Sequence, residues 1–118
     1  MTDVRNPSVL AQFPRTQVYN GLPANPWTWY DLDLSVVVGR RRALVLLRWE
    51  NSIGLMTSML VRRNGDAVNH TAYGADFCQL NASEKGHTVI DTDDNGVIEF
   101  MTGVVKTVTG QVEAFIYA

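Results

Sequence analysis

The sequence predicts an all-β protein, an antiparallel two-sheet sandwich of jelly-roll type with an extended N-terminal arm. Three observations predict it. All four prolines, Pro7, Pro14, Pro23 and Pro26, lie in the first 26 of 118 residues. Proline cannot donate to a strand ladder, so its crowding suits an extended arm and its later absence suits a sheet. From Trp27 onward, apolar and polar residues alternate in short runs with the two-residue period of half-buried strands. Turns containing Gly and Asn separate those runs at sandwich-like spacing. The chain therefore divides into an arm, residues 1–26, and a β-sandwich domain, residues 27–118.

The elements follow in order. Residues 29–36 place Tyr30, Leu32, Leu34 and Val36 on one face and Asp31, Asp33 and Ser35 on the other, a strand with one wet side. Residues 43–50 begin apolar on both faces, as a central strand does, and their β-branched and aromatic content argues against a helix. Residues 55–63 lead into Asn64-Gly65, which suits a type I′ hairpin and sets Arg63 opposite Asp66. Residues 68–86 are less regular, and Asn81, Glu84 and Gly86 fit the cap, third position and stop of one helical turn. Residues 88–92 and 97–102 flank Asn95-Gly96, a second hairpin signal. In the last strand Val112, Ala114 and Ile116 face one way, and Gln111, Glu113, Phe115 and Tyr117 the other. The chain stops while still apolar, so its end is expected inside the fold or an interface.

Composition narrows the function. The net charge of −2 gives no general electrostatic case for nucleic acid. The lone Cys78 excludes an intramolecular disulfide and is expected to pack as a small hydrophobe. Apolar runs such as residues 43–47 are far too short to span a bilayer, and the start lacks an apolar signal region, so a cytosolic origin is expected. Ser35, Ser52, Ser58 and Ser83 lie in no nucleophile-elbow context, and His70 and His87 belong to no zinc-ligand pattern. Asp31 and Asp33 share one strand's outward face, a poor arrangement for a glycosidase pair. No enzymatic activity, cofactor or metal is therefore expected. Residues 91–99 match the start of a calcium loop, yet Thr102 stands where its bidentate glutamate belongs and the flanks favour strands. Asp and Asn crowd turns for backbone reasons alone, so this segment reads as a turn.

Charge and aromatic placement point to surfaces. Residues 40–63 hold six arginines against Glu50, and residues 76–99 hold six acids against Lys85. Either these are solvated strand-edge charges, or a basic side led by Arg40, Arg41 and Arg42 docks on a neighbour's acidic side. Trp27, Trp29 and Tyr30 crowd the junction with the arm. Buried, they plug the end of the sandwich; exposed, they form a possible ligand site, stacking on sugars. In the arm, Val9, Leu10, Phe13, Val18 and Tyr19 are too few to fold alone but suit anchoring in a neighbour's groove.

Residues 27–35, Val38-Gly39, 42–47, 61–66 and 91–100 together resemble the strand, loop and hairpin pattern of small β-sandwich domains in tailed-bacteriophage virion proteins. The resemblance covers residues 27–118 as scattered short motifs. It implies a virion location, a homo-oligomer (often a trimer), viral capsid or other virion proteins as partners, and no enzymatic site. A small sandwich with an arm looks more like a capsid decoration protein than a long tail fibre. The competing expectations are a tail-associated receptor- or carbohydrate-binding module and, last, a small β-sandwich enzyme using His70 or His87.

Overall fold

The computed structural model describes residues 15–21, 23, 25–51, 57–66, 75–80, 85–103 and 107–117. These form eight strands and one helical turn: β1 (Thr16–Gly21), β2 (Tyr30–Asp33), α1 (Ser35–Val38), β3 (Ala43–Asn51), β4 (Thr57–Arg63), β5 (Asp76–Leu80), β6 (Lys85–Asp91), β7 (Val97–Thr102) and β8 (Val108–Tyr117). Sheet A has the order β1-β8-β3-β6 and sheet B the order β2-β7-β4-β5. All described pairings are antiparallel, and they nest: β1 with β8, β2 with β7, β3 with β6, β4 with β5. The all-β two-sheet sandwich is thus the fold of the chain.

The core lies between the sheets and follows from strand alternation. Ala43, Val45, Leu47 and Trp49 of β3 point inward with Val108 and Val112 of β8, meeting Met59, Val61, Ile98 and Phe100 of sheet B. Phe100 receives three rings: Tyr19 at 4.7 Å, Trp49 at 5.8 Å and Tyr30 at 6.0 Å between centroids. Trp49 is fully buried, donates its indole N–H to Thr88 Oγ1 at 2.8 Å and pairs with Gly110 in one neighbouring strand and Gly86 in the other. A Cβ at Gly110 would lie 2.5 Å from Trp49 Cζ3, so only glycine admits the indole there.

Several local expectations are corrected. The strand expected over residues 29–36 ends at Asp33, because Asp33 Oδ1 accepts the Ser35 amide at 2.8 Å and the chain turns into α1. That turn swings Val36 out to 86% exposure and buries Val38 in its place. At Asn64-Gly65 only the glycine takes positive φ, so no type I′ turn forms. The turn closes through Asp66 N–H to Arg63 O, and the described β4–β5 ladder runs from Val61 with Asp76 to Thr57 with Leu80. Asn95-Gly96 joins the two sheets and forms no hairpin, since β6 pairs with β3 while β7 pairs with β2 and β4. Gly86 lies within β6 and ends no helix; Asn81 and Glu84 fall outside the described residues. In β8 a bulge at Glu113 takes Leu46 to Ala114 but Leu47 to Val112, so Phe115 and Tyr117 turn inward while Ala114 and Ile116 turn outward.

The arm expectation also changes where it is visible. Among the described residues, sheet pairing is present from Thr16, upstream of the boundary expected at residue 26, and Val18 and Tyr19 pack on the chain's own core instead of projecting to a neighbour. β1 covers the backbone groups along one side of β8, and that edge belongs to the same chain.

Gly110→Val forces the indole out of its slot and is expected to cost about 2–3 kcal/mol of stability, the usual penalty of overpacking a rigid core. Urea unfolding checks this; a loss below about 0.5 kcal/mol contradicts the account.

Candidate functional site

Two outer sheet faces collect the side chains that the core leaves over. On sheet B, alternation carries Asp31, Glu99 and Arg62 outward in one row, Met101, Leu60 and Phe77 in the next, and Ser58 with Gln79 in a third. Trp29 continues the outward parity of Asp31, and the Arg62 guanidinium sits 4.2 Å from the centre of its ring. Arg62 also pairs with Glu99, which helps hold it over the indole. Trp27 donates its amide to Thr102 O at 2.7 Å and lays its ring beside Gly103, where a Cβ would meet Trp27 Cζ2 at 3.0 Å. It is the only non-glycine with positive φ among the described residues, at 54°. That geometry costs roughly 1–3 kcal/mol for a bulky residue, yet the ring stays 50% exposed. Phe77 is 62% exposed.

The outer face of sheet A has a different chemistry. Leu44 stands beside Ile116, and Leu46 between Ala114 and Val89. Leu44 and Val89 are 45% exposed each, so the stripe is aliphatic and open to solvent. Beyond it the face becomes charged. Glu113 meets His87 Nε2 at 2.9 Å, Arg15 at 3.6 Å and Arg48 at 3.7 Å, and Arg48 also reaches Glu50 at 3.0 Å. The His87 contact, reinforced by both arginines, holds the Glu113 carboxyl below its ordinary range. The β6 edge is closed at one point, where Asp76 Oδ2 accepts the Val89 amide at 2.7 Å. A hollow of about 180 Å³ lined by Glu50, Asn51, Thr107 and Thr109 opens nearby. It is smaller than the roughly 300 Å³ at which small-molecule sites begin.

The basic and acidic segments largely meet each other. Arg42 binds Asp91 at 2.8 Å, Arg63 approaches Asp91 at 3.5 Å and Asp66 at 3.8 Å, and Arg62 holds Glu99. The antiparallel register of β3 on β6 brings Arg42 to Asp91, so the anticipated bipolar surface is folded onto itself. Arg41 lies 3.5 Å over the Tyr117 ring. Arg40 stands exposed, its charge helping to lower the Asp33 carboxyl behind the larger effect of the Ser35 hydrogen bonds.

The calcium-like segment serves the backbone. Asp93 Oδ1 accepts the amides of Asn95 at 2.8 Å and Val97 at 2.9 Å, and Oδ2 accepts from Asn64 at 3.0 Å. Burial opposes its ionisation, but these bonds outweigh burial and the carboxyl titrates below its ordinary value. Gly96 at φ +79° completes the turn, a Cβ there landing 2.5 Å from Gly39 O. Cys78 packs on the core, and burial with nearby Asp76 pushes its thiol up to about 11, so it stays protonated and unreactive near neutrality.

Of the residues singled out by sequence, Trp29 meets Arg62 on sheet B, and Trp27 lies beside Gly103 with its ring half exposed, not buried as a plug. Tyr30 separates from them: its ring packs against the core, and its hydroxyl accepts the Asn25 amide at 3.0 Å. Val9, Leu10, Phe13 and His70 lie outside the described residues. Sequence reasoning missed Phe77, though the alternation in Asp76-Phe77-Cys78-Gln79-Leu80 marks it as outward. It also missed the aliphatic stripe, which needs the bulge at Glu113 to exist. No family model matches the chain, and no curated protein or solved structure matches it at a significant level.

Asp93→Ala is expected to lower stability by about 1–2 kcal/mol near neutral pH through loss of the turn's acceptor. Because this carboxyl is lowered in the folded state, its contribution is complete above 3.8 and is lost as pH falls through the folded value. The gap between parent and variant should therefore narrow in urea melts taken between about pH 4 and pH 2. A gap that stays constant over that range contradicts the role given to the ionised form.

Proposed function

We propose that the chain is a non-enzymatic structural protein of a virion, a capsid decoration protein that binds neighbouring shell subunits and copies of itself. The aliphatic stripe on the outer face of sheet A carries this reading. Leu44, Leu46, Val89 and Ile116 occupy positions where a solvated sheet face ordinarily alternates to polar residues. A partner that removes them from water gains about 25 cal/mol for each Å² covered. The surrounding ion pairs of Arg48, His87 and Glu113 supply a polar rim. β1 reaches the β8 edge of the same sheet at Thr16, opposite Val112.

Two further observations support the reading. The nested pairing of the eight strands suits a jelly roll, an architecture that recurs in viral capsid and lectin domains. A fold alone does not assign a function, so the weight rests on the face. Four described carboxylates are also engaged in structure: Asp91 with Arg42, Glu99 with Arg62, Glu113 with His87 and Asp93 with the turn amides.

Light scattering on the full chain is expected to give a trimer or larger assembly. Leu44→Ser with Val89→Ser should dissociate it without lowering the thermal midpoint, because both side chains are half exposed. A parent chain that stays monomeric at its highest soluble concentration and fails to bind purified shells contradicts the proposal.

A further inference from the structure

The outer faces of the two sheets differ in kind, and the difference points to two partners. Sheet A offers branched aliphatic side chains. Sheet B offers aromatic rings set among hydrogen-bonding groups. We propose that the outer face of sheet B is a binding platform for uncharged glycans, with Trp27 and Phe77 as its stacking rings. This site is independent of the assembly surface on sheet A.

The chemistry of the face selects the ligand. A pyranose ring presents a patch of polarised C–H groups on one side and hydroxyls around its rim. An exposed aromatic ring offers those C–H groups its negative π-face, which an aliphatic side chain lacks. Trp27 and Phe77 are half exposed or more, and they stand at opposite corners of the face. Phe77 rises from β5 and Trp27 lies beside Gly103 at the end of β7, with β4 between them. That separation is two strand spacings, about 10 Å laterally. It accommodates a chain of sugar rings better than a single one. Leu60 and Met101 lie between them but are buried, so the sugar contacts fall on the two rings and on Ser58 and Gln79, which line one side as hydroxyl and amide partners for sugar hydroxyls.

Charge decides between neutral and anionic glycans. The row that borders the rings carries Asp31 and Glu99 against Arg62, and Arg62 is committed to Glu99 and to the Trp29 ring. The border is therefore net negative, with its guanidinium already neutralised. Sialylated or sulfated sugars meet repulsion there, and so does the backbone of a nucleic acid. The held conformation of Trp27 fits the same role: its amide bond to Thr102 O and the bare Gly103 keep the indole fixed across the sheet, so stacking needs little ordering on binding.

The test uses the full chain on an array of neutral oligosaccharides of glucose, mannose, xylose and galactose, printed beside sialylated and sulfated glycans. Titration calorimetry with the strongest neutral hit follows. Trp27→Ala and Phe77→Ala are each expected to weaken binding by about five- to tenfold, in keeping with the loss of one stacking ring. Leu44→Ser on the opposite face should leave it unchanged. Thermal midpoints verify folding, and Phe77→Ala serves if Trp27→Ala proves unstable. The proposal is overturned if no neutral glycan is retained, if only sialylated or sulfated glycans are, or if removing either ring leaves affinity intact. It is equally overturned if the ring variants dissociate the oligomer while glycan binding persists.

Discussion

Trp49 sets the register on which the remaining structure depends. Its indole, the largest fully buried side chain, occupies the middle of sheet A with a glycine paired on each side, Gly86 in β6 and Gly110 in β8. A side chain on Gly110 would collide with the ring, and one on Gly86 would collide with Cys78 across the sandwich. The indole N–H is satisfied by Thr88 within sheet A, while its face stacks on Phe100 of sheet B at 29°. One residue thereby fixes two strand registers and the seating of one sheet on the other. A slip of one position would send the ring to the outer face and bring charged neighbours inward. Removing a buried ring of this size costs about 3–5 kcal/mol, whereas solvent screens an exposed ion pair such as Arg42 with Asp91. Packing at Trp49 outranks surface charge in defining the fold.

With register fixed, both outer faces follow. The β3 ladder that sets Trp49 against the two glycines also sets Leu44 beside Ile116 and Leu46 beside Val89. The bulge at Glu113 adds the decisive step. It lets Val112 and Phe115 both reach the core, and it frees Ala114 and Ile116 to join the aliphatic stripe. Phe100, which receives Trp49, belongs to the ladder that aligns Glu99 with Asp31 and Arg62 on the opposite face. The core and the two candidate binding faces are the inner and outer readings of the same strands.

The all-β class and most strand positions were legible in the sequence, because alternation with period two is a strong signal wherever one face is buried. Residues 43–50 and 97–102 illustrate this. What failed was partner choice. Asn-Gly marks a turn, but whether it closes a hairpin depends on which strands the core recruits, and β6 and β7 were drawn to different sheets. Val36 was misplaced because the Asp33 side chain accepts the Ser35 amide and turns the chain into α1, a local bond that overrides alternation. The charges were legible as a count but not as a surface: Arg42 meets Asp91 once β3 pairs with β6, and Arg62 meets Glu99 once β4 pairs with β7. Trp27 and Trp29 were visible as part of an aromatic cluster with Tyr30, while Phe77, distant in sequence, needed the β4–β5 register to be placed on the same face.

The central claim is that the two faces serve different partners, with sheet A covered in the assembled protein and sheet B open. Hydroxyl-radical footprinting with mass spectrometry tests it most directly, since oxidation reads the exposure of individual side chains. Comparing dilute and assembled protein, the account predicts that Leu44, Leu46, Val89 and Ile116 lose reactivity on assembly while Trp27 and Phe77 keep theirs. Protection of Trp27 and Phe77 with unchanged reactivity along the aliphatic stripe would contradict it.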